Sequence, residues 1–123
     1  MRRALAALAL VICSVGLAGC GDDDTTGTTG DDQDLPTKTI DVTIEGDSIT
    51  PNGDRVEVEV GQPIELVVKA DAAGEIHVHS DPEQEFEYGS GTTTLTSFTI
   101  DKPGIVEVES HALEKTIVQL EVK

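Results

Sequence analysis

Apolar and polar side chains alternate along the chain from Lys38 onward, with a period of two residues. In "TIDVTIEG" isoleucine and valine alternate with threonine and acids, and in "RVEVEVG" three valines alternate with glutamates. This period is typical of a β-strand that buries one face. The segment "PIELVVKA" is more continuously apolar, which predicts a strand buried on both faces.

Further strand-like segments follow as far as the carboxyl end: "EIHVHS", "EFEYG", "TLTSFTI", "GIVEVESH" and "TIVQLEVK". Turn-forming runs such as "PNG", "GQP", "GSG" and "KPG" separate the segments. No segment keeps the period of an amphipathic helix. About eight short strands with regular turns between them predict an all-β domain, an antiparallel Greek-key β-sandwich, over residues 38–123.

Residues 1–20 have the composition of an export signal. Arg2 and Arg3 precede an apolar run that ends at Leu17 and is short for a membrane span. The closing tetrad "LAGC" resembles the lipobox of bacterial lipoproteins, in which the peptide is cut before the cysteine and the cysteine carries lipid. The resemblance implies a signal peptide over residues 1–19 and lipidation at Cys20, and a plain secretory signal is the alternative. We therefore expect a lipid-anchored protein at the extracytoplasmic face of the cell membrane.

Residues 20–37 contain the expected lipidated cysteine and the stretch "GDDDTTGTTGDDQDLP". Gly, Thr and Asp dominate this stretch, which lacks the apolar side chains of a core, so it is predicted to be a disordered tether. A flexible coil of this length spans roughly 20–25 Å. Met1 and Cys13 lie in the expected signal peptide and Cys20 would be acylated. The exported domain would therefore have neither a sulfur ligand nor a disulfide.

The chain carries 24 acidic and 8 basic residues, which gives a formal net charge of −16. Such a surface repels the phosphates of nucleic acids, so no nucleic-acid partner is expected, and it favours cations or cationic partners. Solubility or a salty environment is the simplest reason for most of these acids. Aromatic side chains are too few to form a stacking platform for sugars or bases.

The chain contains three histidines: His77, His79 and His111. In "EIHVHS" the alternation places Ile76 and Val78 on the core face, so the two histidines and Glu75 share the opposite face. In "VEVESH" the valines face inward. Glu109 and His111 then point outward, provided that no β-bulge intervenes.

From about Thr39 to Lys123 the sequence resembles the cupredoxin-like domain of lipoproteins from actinobacteria. The resemblance lies in "VEVGQPIELVVKADAAGEIHVHSD", in "TSFTIDKPGIVEVESHA" and in the closing "TIVQLEVK". It implies that the strands of His77 and His111 are sheet neighbours. It also implies that His77 stands at the first copper-ligand histidine and Ser110 at the copper-ligand cysteine. A blue-copper centre needs that thiolate and commonly an axial methionine, so none is expected here.

With the two strands adjacent, we expect a metal site formed by His77, His79 and His111, with Glu109 or water as the fourth ligand. Two imidazoles at positions i and i+2 of a strand lie about 6.5–7 Å apart at the backbone, and their ring nitrogens can converge on one ion. Nitrogen ligands without sulfur suit Cu(II) or Zn(II). The alternative is a patch of cross-strand His–Glu pairs that holds no metal.

No pattern in the chain predicts an enzyme. The expected exported domain has no cysteine nucleophile, and the adjacent Ser110 and His111 face opposite ways on a strand, which prevents a Ser–His dyad. The expected function is a metal reservoir or chaperone that hands its metal to a membrane metal-transport or redox complex. The alternative is a non-metal accessory or protein-interaction module with a structural His/Glu patch. The oligomeric state is left open by the sequence.

Overall fold

Nine β-strands and no helix build residues 35–123, the part of the chain that the computed structural model describes. In this range there is accordingly no helix with the length and apolar character needed to cross a membrane. The expected signal peptide, Cys20 and most of the predicted tether lie outside the described residues. The strands are β1 Lys38–Glu45, β2 Ser48–Thr50, β3 Asp54–Val58, β4 Ile64–Ala70, β5 Gly74–Val78, β6 Gln84–Tyr88, β7 Gly91–Thr94, β8 Gly104–Ser110 and β9 Lys115–Val122.

The strands form two sheets that pack face to face. One sheet has the order β2-β1-β4-β7, and the other has the order β3-β9-β8-β5-β6. The predicted all-β sandwich is therefore confirmed, with nine strands in place of about eight. The sheets are mixed and not purely antiparallel, because β1 runs parallel to β4 and β3 runs parallel to β9.

The core between the sheets consists of one side of each alternating strand. It contains Ile, Val and Leu almost throughout, together with two buried aromatic rings, Tyr88 and Phe98. Its members are all drawn from residues 40–122, and Gln62 Nε2 donates a hydrogen bond to the Pro36 carbonyl 2.9 Å away. Residues 35–123 thus contain both sheets, the whole described core and the hydrogen bond from Gln62 to Pro36. This range is therefore a folding unit in itself.

The sequence predictions fail at two places in the first sheet. The apolar run in β4 is buried on one face only, since Leu66 is buried while Val67 is half-buried and Lys69 is exposed. The segment "TLTSFTI" is not a strand beyond Thr94. Its buried side chains stand at positions 95, 98 and 100, a spacing that departs from two, and Phe98 makes only an isolated bridge to β4.

A β-bulge lies between β8 and β9. Val108 pairs with Val118 and Glu109 pairs with Thr116, so Ile117 is the extra residue. The bulge is on β9, where Ile117 and Val118 are both buried in succession. Because the irregularity falls on β9, the alternation of β8 continues unbroken to its end, and the outward direction expected for Glu109 is retained.

Candidate metal centre

The pairing of β5 with β8 brings His77 and His111 together on the outer face of the five-stranded sheet. His77 stands opposite Glu109, and Ile76 stands opposite Ser110. Directly after β8, the backbone N–H of His111 donates to the carbonyl of Glu75 at 3.0 Å. This hydrogen bond continues the ladder and sets His111 beside the start of β5. The neighbouring strands that the resemblance implied are therefore present.

The imidazoles of His77 and His111 stack on each other. Their ring centroids are 4.7 Å apart, and the ring planes make an angle of 15°. Glu75 lies against the same pair, with its Oε1 2.5 Å from His77 Nε2. One ligand atom from each of these three residues lies within 4.8 Å of the other two. We call Glu75, His77 and His111 the His/Glu triad.

His79 lies apart from the triad, although its ring is close to that of His77. The two centroids are 6.3 Å apart. His79 Nε2 is 2.9 Å from Glu109 Oε2, and its Nδ1 is 3.3 Å from Glu83 Oε1. The four ligands expected from sequence thus divide into two groups, His77 with His111 and His79 with Glu109.

Glu75 was not among the expected ligands, although the alternation had placed it on the same face as the histidines. The signal that identifies it is its position two residues before His77, which makes the two side chains neighbours on one side of β5. Its role depends on a feature that no sequence pattern shows, the hydrogen bond that joins its carbonyl to His111.

The turn between β5 and β6 supplies a further carboxylate. The Ser80 hydroxyl donates to the Pro82 carbonyl at 2.6 Å and accepts a hydrogen bond from Gln84 Nε2 at 3.3 Å. The turn held in this way presents Glu83, whose Oε1 is 3.6 Å from His77 Nδ1. Each ring nitrogen of His77 therefore faces a glutamate.

The charge around His77 is strongly negative. The ion pairs of Glu75, Glu83 and Glu85 in the described chain are all with histidine, with no lysine or arginine among the partners. The hydrogen bond to Glu75 raises the pKa of the His77 imidazole above its ordinary 6.5, and the charges of Glu75, Glu85 and Glu83 act in the same direction, while partial burial opposes the shift. The site therefore stabilises positive charge at this position.

The donor atoms of the triad fit a borderline metal ion. Two imidazole nitrogens and one carboxylate oxygen suit Cu(II) or Zn(II), with bonds of about 2.0–2.2 Å. Donors around one ion at such distances stand roughly 3–4 Å apart, somewhat closer than the 4.8 Å limit of the triad. His111 is exposed and follows the end of β8, so its ring is free to turn out of the stack toward an ion.

The position implied for a copper-ligand cysteine is on the other face of the sheet. Ser110 is fully buried, and its Oγ has no hydrogen-bond partner among the described residues. Its cross-strand neighbour Ile76 is also fully buried. The hydroxyl of Ser110 and the hydrocarbon side chain of Ile76 offer no thiolate, so the residues at this inner position do not fit a blue-copper ion.

No protein-family model matches the chain, and no curated protein matches it. Auracyanin A, a "blue" copper protein from Chloroflexus aurantiacus, matches with a TM-score of 0.54 at 12% identity, over 72% of this chain and 100% of that one. A mutant of amicyanin in its Cu(I) form matches at 0.51 and 12%, over 69% of this chain and 82% of that one.

A multi-copper oxidase from Pediococcus acidilactici also matches, with a TM-score of 0.55 at 15% identity, over 75% of this chain and 27% of the oxidase. Identities this low show the fold and carry no function, so the prediction that the chain is not an enzyme stays a prediction. The described part of this chain has the cupredoxin-like β-sandwich fold, and its histidines cluster on the outer face of the five-stranded sheet.

Proposed function

We propose that this protein binds Cu(II) or Zn(II) through the His/Glu triad and serves as a metal reservoir or chaperone at the outer side of a cell membrane. The observation that carries the proposal is the approach of His111, which directly follows β8, to Glu75 and His77, more than 30 positions earlier in the sequence. Residues that meet in this way offer three of the four ligands of a typical site.

The donor set favours storage or transfer over electron transfer. Carboxylate and imidazole ligands without thiolate or thioether suit Cu(II) and Zn(II) better than Cu(I). A site that binds only one oxidation state of copper well does not cycle electrons readily. The acidic surroundings raise the local concentration of cations, which supports a metal-collecting role.

The membrane location rests on the amino-terminal sequence. The lipobox-like "LAGC" supports lipidation at Cys20, and the acidic tether that follows would hold the domain at a short distance from the bilayer. From that position the domain would exchange metal with a membrane metal-transport or redox complex. Labelling with a radioactive fatty acid in a bacterial host tests the anchor: the wild-type chain should take up the label and Cys20→Ser should not.

Titration calorimetry of residues 35–123 with Cu(II) and Zn(II) tests metal binding. We expect one ion per chain with micromolar or tighter affinity. His77→Ala and His111→Ala should each weaken binding by about tenfold or more, since each removes one of three protein ligands. His79→Ala is the matched control, because its imidazole is paired with Glu109 outside the triad. Binding only at millimolar concentrations, or an equal loss with all three variants, would contradict the proposal.

A metal-free role is the second candidate, and the close His–Glu pairs favour it. His77 contacts Glu75 at 2.5 Å, and His79 contacts Glu109 at 2.9 Å. Pairs of this kind stabilise a sheet face by themselves and leave an accessory module that interacts with another protein. Metal analysis of the protein purified from its native membrane distinguishes the two candidates.

A further inference from the structure

A cleft of about 520 Å³ opens directly beside the triad. Its lining includes Glu75 and His111, and it continues past Gly74, Tyr88 and Ala112. Two triad members therefore border the cleft, and the third, His77, is not among its lining residues. An ion held by the triad would therefore lie next to this cleft.

Small residues create this space. A Cβ added at Gly74 would lie 2.3 Å from the hydroxyl oxygen of Tyr88, so only glycine lets the tyrosine ring fill the position beneath the cleft. Tyr88 is buried and contributes its ring and hydroxyl to the lining. Ala73 and Ala112 lie at the borders and are both exposed, so the cleft communicates with solvent.

The charge of the cleft selects among possible ligands. Glu87 stands opposite Glu75 in the β5–β6 ladder, and both line the cleft. None of the described residues that line it is a lysine or an arginine. Carboxylates repel an anionic ligand such as azide or chloride but not a neutral nitrogen donor.

We propose that this cleft admits the imidazole of a histidine from a second polypeptide, which becomes an additional ligand of the ion on the triad. The proposal rests on the metal binding proposed above and names the chemistry by which the ion would leave or arrive. The carboxylates of Glu75 and Glu87 disfavour competing anions at the cleft and leave a neutral ring nitrogen unopposed. Ligand exchange through this opening would hand the ion over without opening the β-sandwich.

Electron paramagnetic resonance of the Cu(II)-loaded domain, residues 35–123, tests the proposal. The probes are free imidazole, a blocked Ala-His-Ala peptide with acetylated and amidated ends, and azide. We expect both imidazole probes to change the Cu(II) spectrum in the way that one additional nitrogen ligand per copper ion does. Ala112→Phe and Ala73→Leu fill the cleft. Each should weaken the binding of both imidazole probes by about tenfold or more, while the affinity of the domain for Cu(II) is unchanged. Ala72→Phe in the same loop is the control, since Ala72 does not line the cleft.

A charge variant provides a second test. Glu87→Gln removes one carboxylate. It should tighten the binding of azide by about threefold and have little effect on the binding of imidazole. If wild type binds neither Cu(II) nor Zn(II), the proposed function fails and this inference with it. If Cu(II) binds but neither cleft-filling variant changes the binding of imidazole, only the proposed role of the cleft is refuted. Binding of free imidazole without the peptide would refute the polypeptide donor.

Discussion

Ser110 is a polar residue in an apolar position. It is fully buried at the end of β8, and its hydroxyl has no hydrogen-bond partner among the described residues. A buried hydroxyl without a partner costs about 1–3 kcal/mol of desolvation that no interaction returns. Serine at this place therefore lowers stability without contributing a ligand atom to the triad on the opposite face.

Ser110→Ala should raise the free energy of unfolding by about 1 kcal/mol, because it removes the unpaired hydroxyl and leaves the packing almost unchanged. Urea unfolding of residues 35–123 measures the change. Ser80→Ala is the control and should lower stability, because the Ser80 hydroxyl both donates and accepts a hydrogen bond in the β5–β6 turn. A loss of stability in Ser110→Ala would show that the hydroxyl has a partner.

His77 should make the stability of the metal-free domain depend on pH. Its folded-state pKa is raised above 6.5, chiefly by the hydrogen bond to Glu75. A raised pKa means that the folded state binds the proton more tightly than the unfolded state does. The contribution is therefore fully present below the unfolded value near 6.5 and is lost as pH rises through the folded-state pKa.

Chemical unfolding in EDTA from pH 5 to pH 9 measures this dependence. The stability difference between wild type and His77→Gln should be largest at the acidic end of the range and decline toward its alkaline end. Glu75→Gln should remove most of the pH dependence while the imidazole is kept, because it removes the main cause of the pKa shift. A difference that grows with pH would show that burial outweighs the hydrogen bond.

At the scale of the strand, alternation predicted most of what matters for the site. It placed Glu75 and His77 on one face of β5, and it placed Glu109 outward on β8, as observed. Alternation depends only on the backbone pleat, so it is readable from a single strand. The sequence did not predict that the four expected ligands divide into two groups. That division depends on which carboxylates of other strands and turns contact each imidazole.

Strand pairing was the weaker part of the prediction, for a related reason. The parallel pairings of β1 with β4 and of β3 with β9 depend on how distant segments assemble, which local patterns do not encode. The extra residue Ile117 forms an apolar pair with Val118 that interrupts the alternation, and a strand buried on both faces would show the same pair, so the sequence does not distinguish a bulge there. Charge and hydrophobicity thus identified the faces, while the partners came from tertiary structure.

β4 offers a direct test of its one-sided burial. Leu66→Ala should destabilise the domain by about 2–5 kcal/mol, because Leu66 is fully buried and its removal leaves a cavity. Val67→Ala on the outer face of the same strand should cost about 1 kcal/mol or less, since that side chain is half-buried. Urea unfolding of the two variants measures both values. Equal losses would restore the expectation of a strand buried on both faces.

At the scale of the whole molecule, the excess of negative charge is the dominant property. The net charge is −16, and the lysine–carboxylate pairs that the structure describes are exposed. Each exposed pair stabilises the fold by about 0–1 kcal/mol. We therefore expect repulsion among the unbalanced carboxylates to outweigh these few attractive contacts, and three of the carboxylates lie around His77.

Salt should consequently stabilise the metal-free protein. Raising NaCl from 0.01 M to 1 M shortens the screening length from about 30 Å to about 3 Å, which suppresses long-range repulsion more than contact pairs. We expect the melting temperature in EDTA to rise over this range. The double variant Glu85→Gln, Glu87→Gln should melt higher than wild type at low salt and gain less from added NaCl. A melting temperature that falls with salt would mean that the ion pairs, and not the repulsion, control stability. The carboxylates around the triad would then have to be explained by packing and not by attraction for cations.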